Sequence, residues 1–199
     1  VLVVDTSTSM RAEDFSTATQ RMNRLDAVKS VLRRFIQARE DDRMGIVAFA
    51  AMPYTLAPLT TDHAWLLLQV ERLQTGMLED ATAIGDAIAS GVNRLRDSKA
   101  QTKIVILLTD GINNAGKIDP LTAAEIAKSY KIKIYTIGAG TEGLAPIPVQ
   151  DYFGNVVYQK VKVEVDTEGL TQIAELTGGK YFRATDTESN ESGLFVTPP

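Results

Sequence analysis

Short apolar runs alternate with helical patterns along this chain, and no other feature limits its possible folds as much. Val1–Asp5, Met44–Phe49, Ile104–Leu108 and Ile132–Ile137 are each too short for a helix and too uniformly apolar for a half-exposed strand. Ile104–Leu108 is an unbroken run of β-branched residues and leucine, which suits a central parallel strand covered on both faces. Between these runs the period changes. Leu25, Val28, Leu32, Phe35 and Ile36 recur at helical spacing and predict a helix over Asn23–Arg39. Ile84, Ile88, Val92 and Leu95 line one face of another, with Thr82 expected as its N-cap. His63–Gln74 reads as a helix followed by a loop over Gly76–Asp80, with Trp65, Leu66 and Leu68 read as core or interface residues. His63, the sole histidine, is read as a surface or capping residue. Asp119-Pro120 supplies a cap and a first-turn proline for a helix ending near Tyr130. Strand–helix alternation with short connections predicts an α/β fold in three layers: a mostly parallel central sheet with helices on both faces.

Tyr54–Leu59, after a proline, reads as a further strand. Beyond Gly138 the alternation gives way to Val149–Phe153 and Val156–Val165 around Gly154-Asn155, a pair suited to a two-residue type II′ turn. This predicts an inserted β-hairpin over about 147–165 with one face covered, since Val157, Val161, Val163 and Val165 alternate with polar residues. Thr167 is expected to cap a last helix stopping at Gly178-Gly179, and Lys180–Arg183 to close with a strand. The domain is therefore expected over 1–185, with 186–199 as a coil tail. A first strand with no lead-in reads as the start of a fragment.

With 199 residues, 44% of them hydrophobic and 23% charged, the chain can bury one substantial core. A net charge of −4 and no basic, aromatic-interleaved stretch argue against nucleic acid as a partner. Without cysteine there are no disulfides, thiolate metal sites or cysteine nucleophiles.

The chemistry gathers where strands end. Ligands of open α/β sheets bind beyond the carboxyl ends of the strands. The first strand ends in Asp5-Thr6-Ser7-Thr8-Ser9, with side-chain oxygens at alternate positions. Thr82 opens a helix at the same edge, and Asp110 ends the run Ile104–Leu108. Oxygen donors from separate segments suit a hard cation such as Mg²⁺. Only Asp5 and Asp110 are anionic, so an ion held there keeps positive charge to offer an outside carboxylate. Each piece has an ordinary alternative, since Asp, Ser and Thr after strands are common turn and cap residues. Asp80 is read as a loop acid that can support the site from behind, and Asn113 and Asn114 as shaping the loop after Asp110, with partner contact as the lesser reading.

Together D-x-S-x-S, Ala81-Thr82-Ala83-Ile84-Gly85-Asp86-Ala87 and Leu107-Leu108-Thr109-Asp110-Gly111 resemble the metal-ion-dependent adhesion site of von Willebrand factor A domains. That resemblance implies Ser7, Ser9 and Thr82 as hydroxyl ligands, Asp5 and Asp110 acting directly or through water, and a partner's Glu or Asp completing the shell. The implied ion is Mg²⁺ or Mn²⁺, with Ca²⁺ an alternative.

A narrower likeness, in Pro58–His63, Thr109–Gly116, Asp119–Ala124 and Thr177–Thr185, is to the bacterial Bat (aerotolerance-related) proteins, BatA in particular. It implies a soluble domain in a protein anchored in the bacterial inner membrane, with the periplasmic side favoured. The implied partners are other Bat proteins or a MoxR-type AAA+ ATPase. Thr8 stands where many of those proteins carry glycine, and the tail after Asp186 lacks the amphipathic helix expected there. The function implied is non-enzymatic protein–protein interaction. Two alternatives remain: a metal-dependent phosphatase with Asp5 as nucleophile, and a structural domain with a vestigial site. The first is weakened because Ser7 stands where the haloacid-dehalogenase-like pattern has a second aspartate.

Overall fold

The computed structural model describes residues 1–15, 22–140, 143–150, 152–153, 155–163 and 165–184. Its strands and helices alternate as the sequence requires. In chain order they are β1 (Leu2–Asp5), α1 (Arg24–Gln37), β2 (Met44–Phe49), β3 (Pro53–Thr60), α2 (His63–Glu71), α3 (Ile84–Leu95), β4 (Lys103–Thr109), α4 (Pro120–Ser129), β5 (Ile132–Ala139), β6 (Gly143–Gln150), β7 (Val156–Val163), α5 (Thr167–Thr177) and β8 (Tyr181–Ala184). A short 3-10 turn, Thr8–Arg11, follows β1.

Six strands form one sheet in the order β3-β2-β1-β4-β5-β8. All neighbours are parallel except β2 and β3, so the sheet is the mixed, mostly parallel one expected. The alternate side chains of each strand feed two cores. Leu2, Val4, Ile46, Ala48 and Leu108 pack with Leu25, Val28, Leu32 and Ile36 of α1 and Leu66 and Val70 of α2. Val3, Val47, Val105 and Leu107 face the other way, onto α3, α4 and α5. Burial on both faces explains why β1, β2 and β4 carry no polar residues between their ends.

The helices start where a side chain can satisfy free backbone N–H groups. Asn23 accepts from Asp26, Asp62 from Trp65 and Asp119 from Thr122. Two expected caps are corrected. Asp166, not Thr167, caps α5, its carboxylate accepting from the Gly169 N–H at 2.9 Å. Ala83, not Thr82, is the N-cap residue of α3 and offers no side-chain bond. The Ile84 N–H is satisfied instead by Asn113 Oδ1 at 2.8 Å, from a loop far along the chain. Of the apolar residues early in α2, Leu66 enters the core while Trp65 and Leu68 remain at the surface. His63 is at the surface too, its Nε2 2.7 Å from the Asp42 carbonyl.

The hairpin also differs from expectation. It begins at Gly143, and Gln150 pairs with Val156, so 151–155 connect the strands in place of a two-residue turn at Gly154-Asn155. Among its described residues, β6 is partly covered and most of β7 is exposed. Ala145 is buried against Ala12, with Ile147 packed alongside, whereas Val157 and Val161 are exposed. The backbone N–H of Glu13 donates to the Pro146 carbonyl at 3.0 Å and fastens the hairpin beside the 3-10 turn. The predicted tail, 186–199, lies outside the described residues.

Candidate metal centre

β1 and β4 are parallel neighbours, so their carboxyl ends place Asp5 and Asp110 at one edge of the sheet. Both carboxylates are fully buried, which is costly for an anion unless each oxygen is hydrogen-bonded. Asp5 Oδ1 accepts from the Ser7 N–H at 2.8 Å and Oδ2 from the Thr109 hydroxyl at 2.6 Å. The first bond folds the loop back, so that Ser7 and Ser9 turn inward. Ser7 Oγ lies 2.9 Å from Ser9 Oγ, and Ser9 Oγ donates to Asp110 Oδ1 at 2.7 Å. A hydroxyl has one proton. Since Ser9 gives its proton to Asp110, Ser7 is the donor between the two serines.

The loop is pinned from outside as well. Asp80 accepts from the Thr8 N–H at 2.9 Å and from the Thr8 hydroxyl at 2.5 Å. Thr8 thus uses its side chain to hold the turn between the two serines. Thr82 comes in from α3's side and is buried. Its hydroxyl flanks Gly111, at 3.4 Å from where a β-carbon there would lie. Asn114 Oδ1 accepts from the Thr82 N–H at 2.7 Å, and the Asn114 N–H donates to the Thr82 carbonyl at 3.1 Å. Asn113 and Asn114 therefore stitch the loop after Asp110 to Thr82 and α3.

One residue essential to this geometry went unnoticed in the sequence. Arg24, at the start of α1, is fully buried and donates from Nη1 to Asp110 Oδ2 at 2.8 Å. Its Nε and Nη2 engage Asp14, with Nε 2.9 Å from Oδ1. Gly140, just past β5 with φ +110°, clears the space, because a β-carbon there would collide with the guanidinium. A positive charge in a helix's first turn opposes the helix dipole. That misplacement was the available signal that carboxylates hold Arg24.

The carboxylates resist ionisation. Burial, and then the charge of Asp110, push Asp5 up from 3.8 to about 7. Asp110 is also raised by burial, against the lowering effect of Arg24. A cation beside them would relieve this cost.

The donor set fits a small hard ion. Metal–oxygen distances of ~2.1 Å imply adjacent octahedral oxygens about 3.0 Å apart. The Ser7–Ser9 and Ser9–Asp110 separations, 2.9 and 2.7 Å, are close to that edge. Among the described residues no three His, Cys, Asp or Glu side chains cluster for metal binding, so any ion here depends on hydroxyls. Asp5 is buried, and both its oxygens accept hydrogen bonds.

This sheet with this constellation at its edge defines a class. The sequence model of the von Willebrand factor type A domain matches residues 1–194, and the chain belongs to that family. Two solved structures superpose over most of the chain. BatB from Bacteroides thetaiotaomicron, described as a conserved hypothetical protein, superposes with a TM-score of 0.78 at 26% identity, covering 94% of this chain and 90% of that one. An aerotolerance-related membrane protein from Bacteroides fragilis gives 0.76 at 26% identity, covering 92% and 89%. A UPF0353 protein of Mycolicibacterium paratuberculosis is 32% identical over 94% of this chain and 56% of its own length. An uncharacterized protein of Borreliella burgdorferi is 31% identical over 94% and 53%. The chain thus spans about half the length of the curated relatives it matches. The mussel byssus protein PTMP1, 20% identical with a TM-score of 0.67 over 96% of this chain and 42% of its own, shares the fold and has been solved with a zinc-occupied MIDAS motif. No helix among the described residues is long and apolar enough to cross a membrane.

Proposed function

We propose that this domain is a non-enzymatic docking module that holds a divalent cation, Mg²⁺, and through it captures a carboxylate of a partner protein. The observation that carries this reading is the convergence of Ser7 Oγ, Ser9 Oγ and Asp110 Oδ1, beside the buried Asp5, at one edge of the sheet. Ser7, Ser9 and Thr82 would hold the ion through neutral hydroxyls, with Asp5 and Asp110 as the charged members. The bound ion supplies an electrophilic point for an outside Glu or Asp. Asp5 orients the loop through the Ser7 N–H, and Asp80 fixes it through Thr8. Asn114 holds Thr82 through its backbone N–H, and Asn113 holds the start of α3 through that of Ile84.

The relatives described as membrane proteins support a membrane-anchored whole, for which the periplasmic face of the bacterial inner membrane is the proposed location. Other Bat proteins or a MoxR-type ATPase are the proposed partners. Calorimetric titration of Mg²⁺, Mn²⁺, Ca²⁺ and Zn²⁺ tests the site. Wild type should bind Mg²⁺ and Mn²⁺, and Asp110→Ala should lose both while remaining folded. Tight binding of Zn²⁺ alone, or equal Mg²⁺ binding by Asp110→Ala, would overturn the reading.

A further inference from the structure

The buried guanidinium of Arg24 sits behind Asp110, on the side away from Ser9, and no function described above uses it. We propose that Arg24 is a positioning residue that keeps the charge of Asp110 divided between the protein and the ion, so that the site favours an outside carboxylate over tighter metal binding. This rests on the metal-docking reading.

Asp110 has two oxygens and each has an assigned donor. Oδ1 takes the Ser9 hydroxyl at 2.7 Å, and Oδ2 takes Arg24 Nη1 at 2.8 Å. Both side chains of the ion pair are fully buried, so water does not screen it. Asp14 then holds the other edge of the guanidinium through Nε and Nη2. The fork is therefore aimed, with one arm left for Asp110, a geometry that a lysine's single point charge cannot reproduce. The room for it is built into the backbone at Gly140.

The consequence follows from charge. An ion beside Asp5 and Asp110 meets two carboxylates, one of which is already half satisfied by a fixed cation. Part of the ion's charge is left for a third, external carboxylate. Without Arg24, Asp110 can turn its full charge to the ion, which strengthens metal binding and weakens capture of an outside anion. Asp14 works in the opposite sense, since it draws the guanidinium's charge away from Asp110. The two affinities should therefore move in opposite directions in Arg24→Met. Removal of a merely structural ion pair would lower both or neither.

The test uses Mn²⁺ as the metal probe and acetate as the carboxylate probe, with Mn²⁺ affinity from calorimetry and acetate binding from water-proton relaxation of the Mn²⁺-loaded protein. Arg24→Met should bind Mn²⁺ about tenfold tighter and acetate about tenfold more weakly than wild type. Asp14→Asn leaves Arg24 in place and covers the case in which Arg24→Met does not fold. It should bind Mn²⁺ about threefold more weakly. Mn²⁺ and acetate affinities within twofold of wild type in Arg24→Met overturn the proposal, as does unchanged or tighter Mn²⁺ binding by Asp14→Asn. If wild type itself binds no Mn²⁺, the metal-docking reading fails first and this inference falls with it.

Discussion

The loop Asp5–Ser9 and the β6–β7 hairpin leave the same carboxyl edge of the sheet, yet they are held by different means. In the loop, Ser7, Thr8 and Ser9 each bond to a group from another part of the chain or to one another, and the carboxylates behind them are buried. The hairpin is held by its own register and by a small contact at its base between Ala12, Ala145 and Ile147. Its connecting loop presents Tyr152 and Phe153 at 98% and 86% exposure, with rings set edge to face. Buried polar networks fix one geometry because an unmatched donor or acceptor is costly. A strand pair joined to the body by a few apolar atoms and one backbone hydrogen bond, from Glu13 to Pro146, carries little such penalty. The loop should therefore be intolerant of change where the hairpin is tolerant.

The largest expected effect is at Gly140. Alanine there must adopt φ +110° and also displace the Arg24 guanidinium from between Asp14 and Asp110. Strain and a disturbed buried ion pair together should cost about 3 kcal/mol or more. Urea unfolding of Gly140→Ala measures it, and a loss below about 1 kcal/mol would mean that the loop network yields as easily as the hairpin.

Next in size is the response to pH. In the metal-free protein the folded-state value of Asp5 is raised from 3.8 to about 7, so the native state holds a proton that the unfolded chain releases. The stability linked to Asp5 is fully present below about 3.8 and is lost as pH rises through about 7. Relative to Asp5→Asn, the melting temperature of the metal-free protein should fall between pH 4 and pH 7. Saturating Mg²⁺ should remove that slope, because binding displaces the proton. A flat difference without metal would show that Asp5 is ionised throughout.

How much of this was readable in the sequence follows the same division. Asp5, Ser7, Ser9, Thr82 and Asp110 could be picked out because each stands at the end of an apolar strand run or the start of a helical one. The sheet was legible for the same reason, since burial on both faces leaves continuous apolar runs. Arg24 was not, because its partner Asp110 lies 86 positions away and no periodicity encodes a charge pair across that distance. Thr82 looked like a helix cap because threonine before a helix usually is one, but here a carboxamide from the next loop does that work. In the hairpin, Gly154-Asn155 pointed to a tight turn. Strand register is set along the whole pairing, and pairing Gln150 with Val156 requires the longer connection.

A smaller effect, and one that tests the stitching of the loop, comes from Asn113 and Asn114. Each carboxamide oxygen accepts a backbone N–H, from Ile84 and Thr82, that would otherwise lack this partner at the start of α3. Asn113→Ala and Asn114→Ala should each cost about 1 kcal/mol. Asn114→Ala should also weaken Mg²⁺ binding through displacement of Thr82, whereas Asn113→Ala should spare it. Equal metal affinity in both would place Thr82 outside the site.

The smallest effect is expected at the tip of the hairpin. Tyr152 and Phe153 are large apolar residues that bury almost nothing within the chain, so their replacement removes little area from the folded state. They touch each other at 5.8 Å between ring centroids, and an exposed ring pair of this kind is worth well under the ~1.5 kcal/mol upper value for aromatic pairs. The double change Tyr152→Ser and Phe153→Ser should shift unfolding free energy by no more than about 0.5 kcal/mol, the usual range for surface positions. Mg²⁺ affinity should stay as in wild type, since the described contacts of the hairpin with the 3-10 turn lie near its base. Thermal unfolding and calorimetry on the same variant check both statements. A loss above 1 kcal/mol would reveal that the tip packs on the body of the domain. A change in Mg²⁺ affinity with stability unchanged would show instead that the hairpin transmits to the 3-10 turn through Glu13 and Pro146, and the two regions would have to be treated as one.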